Sequence, residues 1–431
     1  MIVKFDELLK SRFAKNVLTL LSGTAVGQGV MILALPILTR LFSPDDFALL
    51  AIFVSLLGLI SVVACLRLDI AIPIPKEDGE ALDLLVLALV SSLLFGGIIG
   101  LLCFFFAGDV AHVFGRDEIE KYIWLLPLGV LGAGGYAAAQ FWATRKKNFK
   151  DIAKTHVKRS LAGTGVQLAG GLLAAGPIGL VLGYIVTQIG GAVSLGVKAF
   201  SDIRCLGYRP SSRIFLTLKS YKRFPLYSTW ESLFNSAAIQ LPVILIAAFI
   251  AGPEVGYLML AMRVMAAPMS LLGGSVAQVY LSQAPEKYRD GELGAFTASL
   301  IVRLLIVGGP VIFIGGLGSP WLFPWVFGAE WERAGIFVLW MVPWFILQFI
   351  TSPVSMALHV VGMQHVSLLL QVFGFLVRCG AVLLAFFINE SFLVSAYVAS
   401  GAVFYFVYLV VVLRVIRVSF GEVLACAFGR R

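Results

Sequence analysis

The stretch between Glu254 and Glu286, VGYLMLAMRVMAAPMSLLGGSVAQVYLSQAP, carries a single charge, Arg263. A run this apolar predicts a transmembrane helix, because about 20 residues cross a bilayer. An arginine some nine residues in sits roughly 14 Å along the axis, near the middle of the hydrocarbon. Insertion scales put the cost of such a charge at roughly 2.5–3.5 kcal/mol, so it faces a bundle interior or a water-filled cavity. Guanidinium suits phosphate in that setting: its donors form a bidentate fork and it stays charged when poorly hydrated. The chemistry to expect is capture of an anionic headgroup. The competing reading is that the arginine pairs with a carboxylate or with helix C-terminal carbonyls and fixes packing.

The same two readings apply to Arg378, which lies about as deep in its own apolar run, where Asn389 and Glu390 are too far along to pair with it. Arg303 enters its span within snorkelling reach of the interface, where a packing role is the simpler account. Arg67 and Asp69 stand two apart at the end of a span, where a local interfacial pair is as good an account as binding. Glu231 is the carboxylate placed furthest inside a predicted span. It is either a proton or cation site in a coupled transporter or the counter-charge of Arg263.

The elements that must position these groups are helices. The chain has 431 residues, 59% hydrophobic and 13% charged, against about 25% charged in soluble chains. Mean hydropathy is +0.94. This is an all-α polytopic membrane protein; a transmembrane barrel would show short alternating segments. Intervals with little or no charge predict twelve transmembrane helices at about 17–39, 47–66, 84–107, 122–144, 160–176, 178–197, 226–251, 255–281, 300–327, 336–358, 366–388 and 391–413. The fifth and sixth come from one run split at Gly176-Pro177, and the tenth and eleventh from another divided around His359–His365. Residues 1–15 gather Phe5, Leu8, Leu9 and Phe13 on one face, an interfacial amphipathic helix. No cleavable signal peptide is expected.

Of the 33 Lys and Arg residues, Arg40, Arg116, Lys121 and Arg333 fall on one side, and Arg263 and Arg378 lie within spans. All the others share the side of the termini, which the positive-inside rule makes cytoplasmic. The net charge of +9 follows from this bias and from attraction to anionic membrane lipids, and nucleic-acid binding is not suggested. A weak internal repeat matches LALPILTRLFSPDDFALLA in spans 1 and 2 with IQLPVILIAAFIAGPEVGYLMLA in spans 7 and 8, aligning Pro36 with Pro242 and Pro44 with Pro253. Each copy has six spans, so the copies share an orientation. The domains expected are an N-terminal six-helix lobe at 1–200, a cytoplasmic basic linker at 201–225 and a C-terminal six-helix lobe at 226–431. Within the linker, RIFLTLKSYKRF reads as a surface amphipathic helix. GTGVQLAGG at Gly163–Gly171 and GLVLG at Gly179–Gly183 are small-residue faces for close helix approach.

Cys65, Cys103, Cys205, Cys379 and Cys426 form no C-x-x-C pair, and His112, His156, His359 and His365 have no metal-ligand spacing. No nucleotide loop or nucleophile motif occurs, so no cofactor, metal or catalytic constellation is expected.

The run Asn16–Pro75 resembles the N-terminal signature of the polysaccharide-biosynthesis flippases of the Wzx type. In that family a first span ends in P-x-[LI]-[ST]-R-L, a S-P-x-x-[FY] turn follows, and the second span ends in L-R-x-[DE]-x-A-I; here these are Pro36–Leu41, Ser43–Phe47 and Leu66–Ile72. Ala261–Pro268, A-x-R-V-x-x-x-P, is similar to the same family. The resemblance implies the multidrug/oligosaccharidyl-lipid/polysaccharide exporter superfamily, with two six-helix lobes around a central cavity. It implies flipping of undecaprenyl-pyrophosphate-linked oligosaccharide across the bacterial inner membrane for O-antigen (lipopolysaccharide), capsule or exopolysaccharide assembly. Further partners implied are a polymerase and a chain-length regulator. Arg40, Arg67, Asp69 and Arg263 lie on the family's motifs; Arg378 and Arg303 rest on position alone.

Two other functions compete. A cation-coupled multidrug exporter of the related branch would carry a carboxylate in the first span, which has none here, and the deep charges are basic. A membrane glycan polymerase or ligase would need a large periplasmic catalytic loop, whereas the longest here is residues 108–121.

Overall fold

The structure is a computed structural model that describes residues 12–205, 213–250, 252–269, 274–419 and 421–422. Among them there is no strand. Among the described residues ten helices are long and apolar enough to cross a membrane. Twelve helices correspond to the expected spans: α1 (Arg12–Leu41), α2 (Pro44–Ser61), α3 (Asp78–Val113), α4 (Leu126–Arg145), α5 (Phe149–Leu172), α6 (Pro177–Cys205), α7 (Thr229–Phe249), α8 (Glu254–Pro268), α9 (Leu293–Phe327), α10 (Glu332–Val354), α11 (Gln364–Ile388) and α12 (Leu393–Val415).

One differs from the sequence expectation. α5 starts at Phe149, because the charged segment before residue 160 is one continuous helix with the apolar one after it. Of the eighth span, α8 (Glu254–Pro268) and a further helix at Gly274–Arg289 lie within the described residues. The amphipathic linker helix is found at Arg213–Ser220, with Phe215 and Leu216 77% and 64% exposed and Thr217 donating a hydrogen bond to Asp83 at 2.9 Å. The N-terminal amphipathic helix falls largely outside the described residues.

Local chemistry explains the α1–α2 junction. Ser43 caps α2, accepting from the Asp46 amide at 3.2 Å while the Asp46 carboxylate accepts from the Ser43 amide at 2.8 Å. Pro44 supplies the first helical residue, whose missing amide hydrogen is no loss there, and Phe47 one turn in is fully buried. The S-P-x-x-F motif is therefore a helix-start device.

The chain divides into compact units at Gln240/Leu241, inside α7 and beyond the boundary expected at 225/226. The first half of α7 belongs with the N-terminal unit because Ser236 donates to the Gly58 carbonyl of α2 at 3.0 Å and Gln240 lies over Gly58. In the first unit α5 packs between α1 and α6, α6 also lies on α4, and α4 on α2 and α3. In the second unit α10 packs on α8, α9 and α12, and α11 on α12. Shifting each helix by six positions maps the contacts of α4 with α2, α3 and α6 onto those of α10 with α8, α9 and α12, and the pair α5·α6 onto α11·α12. The internal repeat is thus visible in part of the packing as well as in sequence.

Candidate functional site

The L-R-x-D motif after α2 makes a turn that the backbone resists. Leu66 and Arg67 are both left-handed, with φ of 50° and 57°. For non-glycine residues such backbone costs on the order of 1 kcal/mol or more each and persists only where surroundings over-determine it. Here Cys65 donates to the Gly134 carbonyl of α4 at 3.3 Å, and Leu68, Ala71 and Ile72 are wholly buried against Leu82, Leu85 and Trp142. Arg145 at the end of α4 pins the chain beyond, donating to the Pro75 carbonyl at 2.6 Å and to Asp78 at 3.0 Å. Asp69 opens a single 3₁₀ turn and is only 4% exposed. Its Oδ1 and the Arg67 Nε are buried without a hydrogen-bond partner. Burial pushes the Asp69 carboxyl above its ordinary range, and the Arg67 charge pulls it part of the way back. The two expected residues are thus brought together as a charged cluster in a strained turn.

A second cationic group in the first unit was missed from the sequence. Tyr136 of α4 shares a hydrogen bond with His156 of α5 at 3.2 Å, and the Arg159 guanidinium lies 4.2 Å from the Tyr136 ring centre. Arg159 Nη1 is buried without a hydrogen-bond partner. The reading of residues 145–159 as an extramembrane loop hid it; once α5 begins at Phe149, Arg159 stands some three turns inside a helix.

In the second unit Arg263 is half-buried on α8, among the buried Leu258, Leu260, Ala261 and Met265. Arg378 on α11 is 4% exposed. Its guanidinium lies 4.5 Å from the Phe404 ring centre and 5.7 Å from those of Trp344 and Tyr405, an aromatic cage drawn from α10 and α12. Arg40, Arg303 and Glu231 are exposed, and Glu231 sits in the first turn of α7, preceded by the π-helical Phe224–Ser228. Neither arginine joins the clusters above.

The deep charges share one sign. Within the twelve helices every carboxylate among the described residues lies within about two turns of a helix end, whereas Arg159 and Arg378 lie further in from both ends. No group of three or more His, Cys, Asp or Glu that could hold a metal occurs among the described residues.

A profile described as polysaccharide biosynthesis protein matches residues 37–335, more than half of the chain. The chain belongs to this family. No curated protein sequence matches it. Among solved structures, the inward-facing conformation of a multidrug resistance MATE family transporter of the MOP superfamily aligns with a TM-score of 0.63 at 16% identity, covering 93% of this chain and 94% of that one. A MATE protein in complex with MaL6 aligns with a TM-score of 0.61 at 15% identity, covering 95% and 98%. A MOP superfamily transporter from Pyrococcus furiosus, described as having a binding pocket of reversed polarity, aligns with a TM-score of 0.60 at 16% identity, covering 97% and 98%. At these identities the likeness establishes the fold. This member of the polysaccharide biosynthesis family is a multi-pass membrane protein built on the fold of MATE transporters.

Proposed function

We propose that the protein is a flippase that carries undecaprenyl-pyrophosphate-linked oligosaccharide units from the inner to the outer leaflet of the bacterial inner membrane. It works by alternating access, with both termini in the cytoplasm, in O-antigen, capsule or exopolysaccharide assembly. The observation that carries this reading is the sign of the deep charges: Arg159 and Arg378 lie more than two turns from either end of their helices, and carboxylates among the described residues stay near helix ends. A cationic drug would meet the wrong potential there, and α1 carries no carboxylate to receive it. A diphosphate is matched by guanidinium, which binds its oxygens in pairs and keeps its charge in a poorly hydrated interior.

In this reading Arg263, half-buried rather than sealed, contacts the diphosphate. Arg67 is its counterpart in the first unit, and Asp69 balances Arg67 while the site is empty. Arg378, enclosed by rings, contributes fixed positive potential rather than direct contact. The lipid tail stays in the bilayer throughout.

The test is flipping of a defined lipid-linked oligosaccharide in proteoliposomes. Arg263→Gln is expected to abolish flipping while reconstituting as well as the parent protein. Normal flipping by that variant removes Arg263 from the mechanism, and absence of flipping by the parent with any diphosphate-linked glycan refutes the substrate class.

A further inference from the structure

α5 carries two cationic faces. His156 and Arg159 meet Tyr136 of α4. Lys150, Lys154 and Lys158 recur every four residues and so form a ladder on another face, along about 12 Å of the axis. The ladder borders α1, where Gly23 meets Ala153 so closely that a Cβ on the glycine would lie 2.4 Å from that of Ala153.

Backbones in contact with no side chain between them leave a furrow alongside. It has a volume of about 540 Å³, with Gly23, Val26, Ala153 and Val157 in its floor and the three lysines at its rim. That size is in the range of small-molecule sites. Val26 is 53% exposed and all three lysines are exposed. Among the described residues no carboxylate pairs with them; Asp151, one residue beyond Lys150, is held by Lys198 at 2.6 Å. The lysines occupy the charged half of α5 and face the long uncharged stretch of α1, which sets the furrow where hydrocarbon gives way to water.

We infer that this furrow binds one anionic phospholipid of the leaflet adjoining the basic loops. The lysine ladder holds the headgroup phosphate, and an acyl chain lies along Val26, Ala153 and Val157. A soluble anion would gain nothing from the apolar floor, and a zwitterionic lipid would bring no net charge to the rim. This lipid is separate from the transported substrate and does not depend on its identity.

The test is native mass spectrometry of the full-length protein with phosphatidylglycerol or phosphatidylcholine. The parent protein is expected to retain phosphatidylglycerol preferentially. Each lysine near the membrane surface contributes about 1 kcal/mol, or about fivefold, so K150Q/K154Q/K158Q is expected to weaken that binding on the order of 100-fold and leave phosphatidylcholine unchanged. Val26→Trp, which fills the floor and spares the lysines, is expected to lose phosphatidylglycerol too; should it melt early, the lysine variant decides alone. Equal retention of both lipids, or unchanged selectivity in the lysine variant, overturns the proposal. So does displacement by glycerol phosphate, which marks a free-phosphate site. Lipid selectivity that emerges only when residues 1–11 are removed also overturns it, since the furrow then belongs to the chain's own N-terminal segment.

Discussion

Arg116 and Asp45 meet at 2.9 Å, joining the segment between α3 and α4 to the first turn of α2. The second unit repeats the contact with different residues: Arg333, at the start of α10, lies 2.6 Å from Glu254 in the first turn of α8. Under the six-helix shift Asp45 follows Pro44 as Glu254 follows Pro253, so the two ion pairs are equivalent. Both are partly exposed, which limits each to about 0.2–1 kcal/mol. Double-mutant cycles on the thermal stability of Asp45→Asn with Arg116→Gln, and of Glu254→Gln with Arg333→Gln, are expected to give coupling energies in that range for both. A coupling of zero in one unit and not the other would show that the repeat is no longer used there.

The α5–α6 crossing depends on glycine. A Cβ at Gly170 would lie 2.6 Å from the Gly179 Cα, and one at Gly183 would lie 2.6 Å from the Gly163 carbonyl oxygen. The obstacle in each case is backbone, which cannot rotate away. Gly170→Ala and Gly183→Ala are each expected to lower stability by about 1–3 kcal/mol, read as a fall in Tm in detergent. Gly165→Ala on the same helix has open space and is expected to have no such effect.

Arg378 is expected to distinguish its charge from its shape. Arg378→Lys keeps the charge and loses the flat face that lies against Phe404, a loss of about 1–2 kcal/mol. Arg378→Met fills the cage without a charge to desolvate and is expected to melt above the Lys variant. The reverse order would mean that the cage selects for charge. If the Met variant also flips lipid-linked glycan normally, Arg378 contributes packing alone.

Asp69 should make stability depend on pH. Its pKa in the fold is raised above the ordinary value of 3.8, chiefly by burial. The native protein therefore binds its proton more tightly than the unfolded chain does, and stability falls as pH rises from that value through the folded pKa. The cost grows with pH across that window and is greatest above the folded pKa. Asp69→Asn is expected to raise Tm at pH 7, with the gain shrinking as the buffer approaches pH 4. A lower Tm at pH 7 would show that the Arg67 attraction outweighs burial.

Much of this architecture can be read from the residues. Gly176-Pro177 marks the α5–α6 turn, the short segment around His359–His365 separates α10 from α11, and paired prolines reveal the repeat. The depth of Arg378 is also legible, because distance along an apolar run translates directly into distance along a helix. Its aromatic cage is not, since Trp344, Phe404 and Tyr405 come from two other helices. The ion pair of Arg116 with Asp45 spans 71 positions and is likewise a product of packing. Arg159 was obscured for a different reason. Marking spans by absence of charge ends a helix at its first lysine, whereas α5 continues through its charges by turning them to two faces.

That division of α5 has a consequence for biogenesis. Lys150, Asp151, Lys154, Lys158 and Arg159 occupy its first half, and Phe149–Leu172 is not among the helices apolar enough to cross a membrane by composition. A translocon that sorts segments by hydropathy would not release such a helix into lipid by itself. α6 qualifies, and the two are joined only by the turn at residues 173–176. α5 must therefore wait beside the translocon until the ribosome has delivered α6, and the two enter the bilayer together as a hairpin.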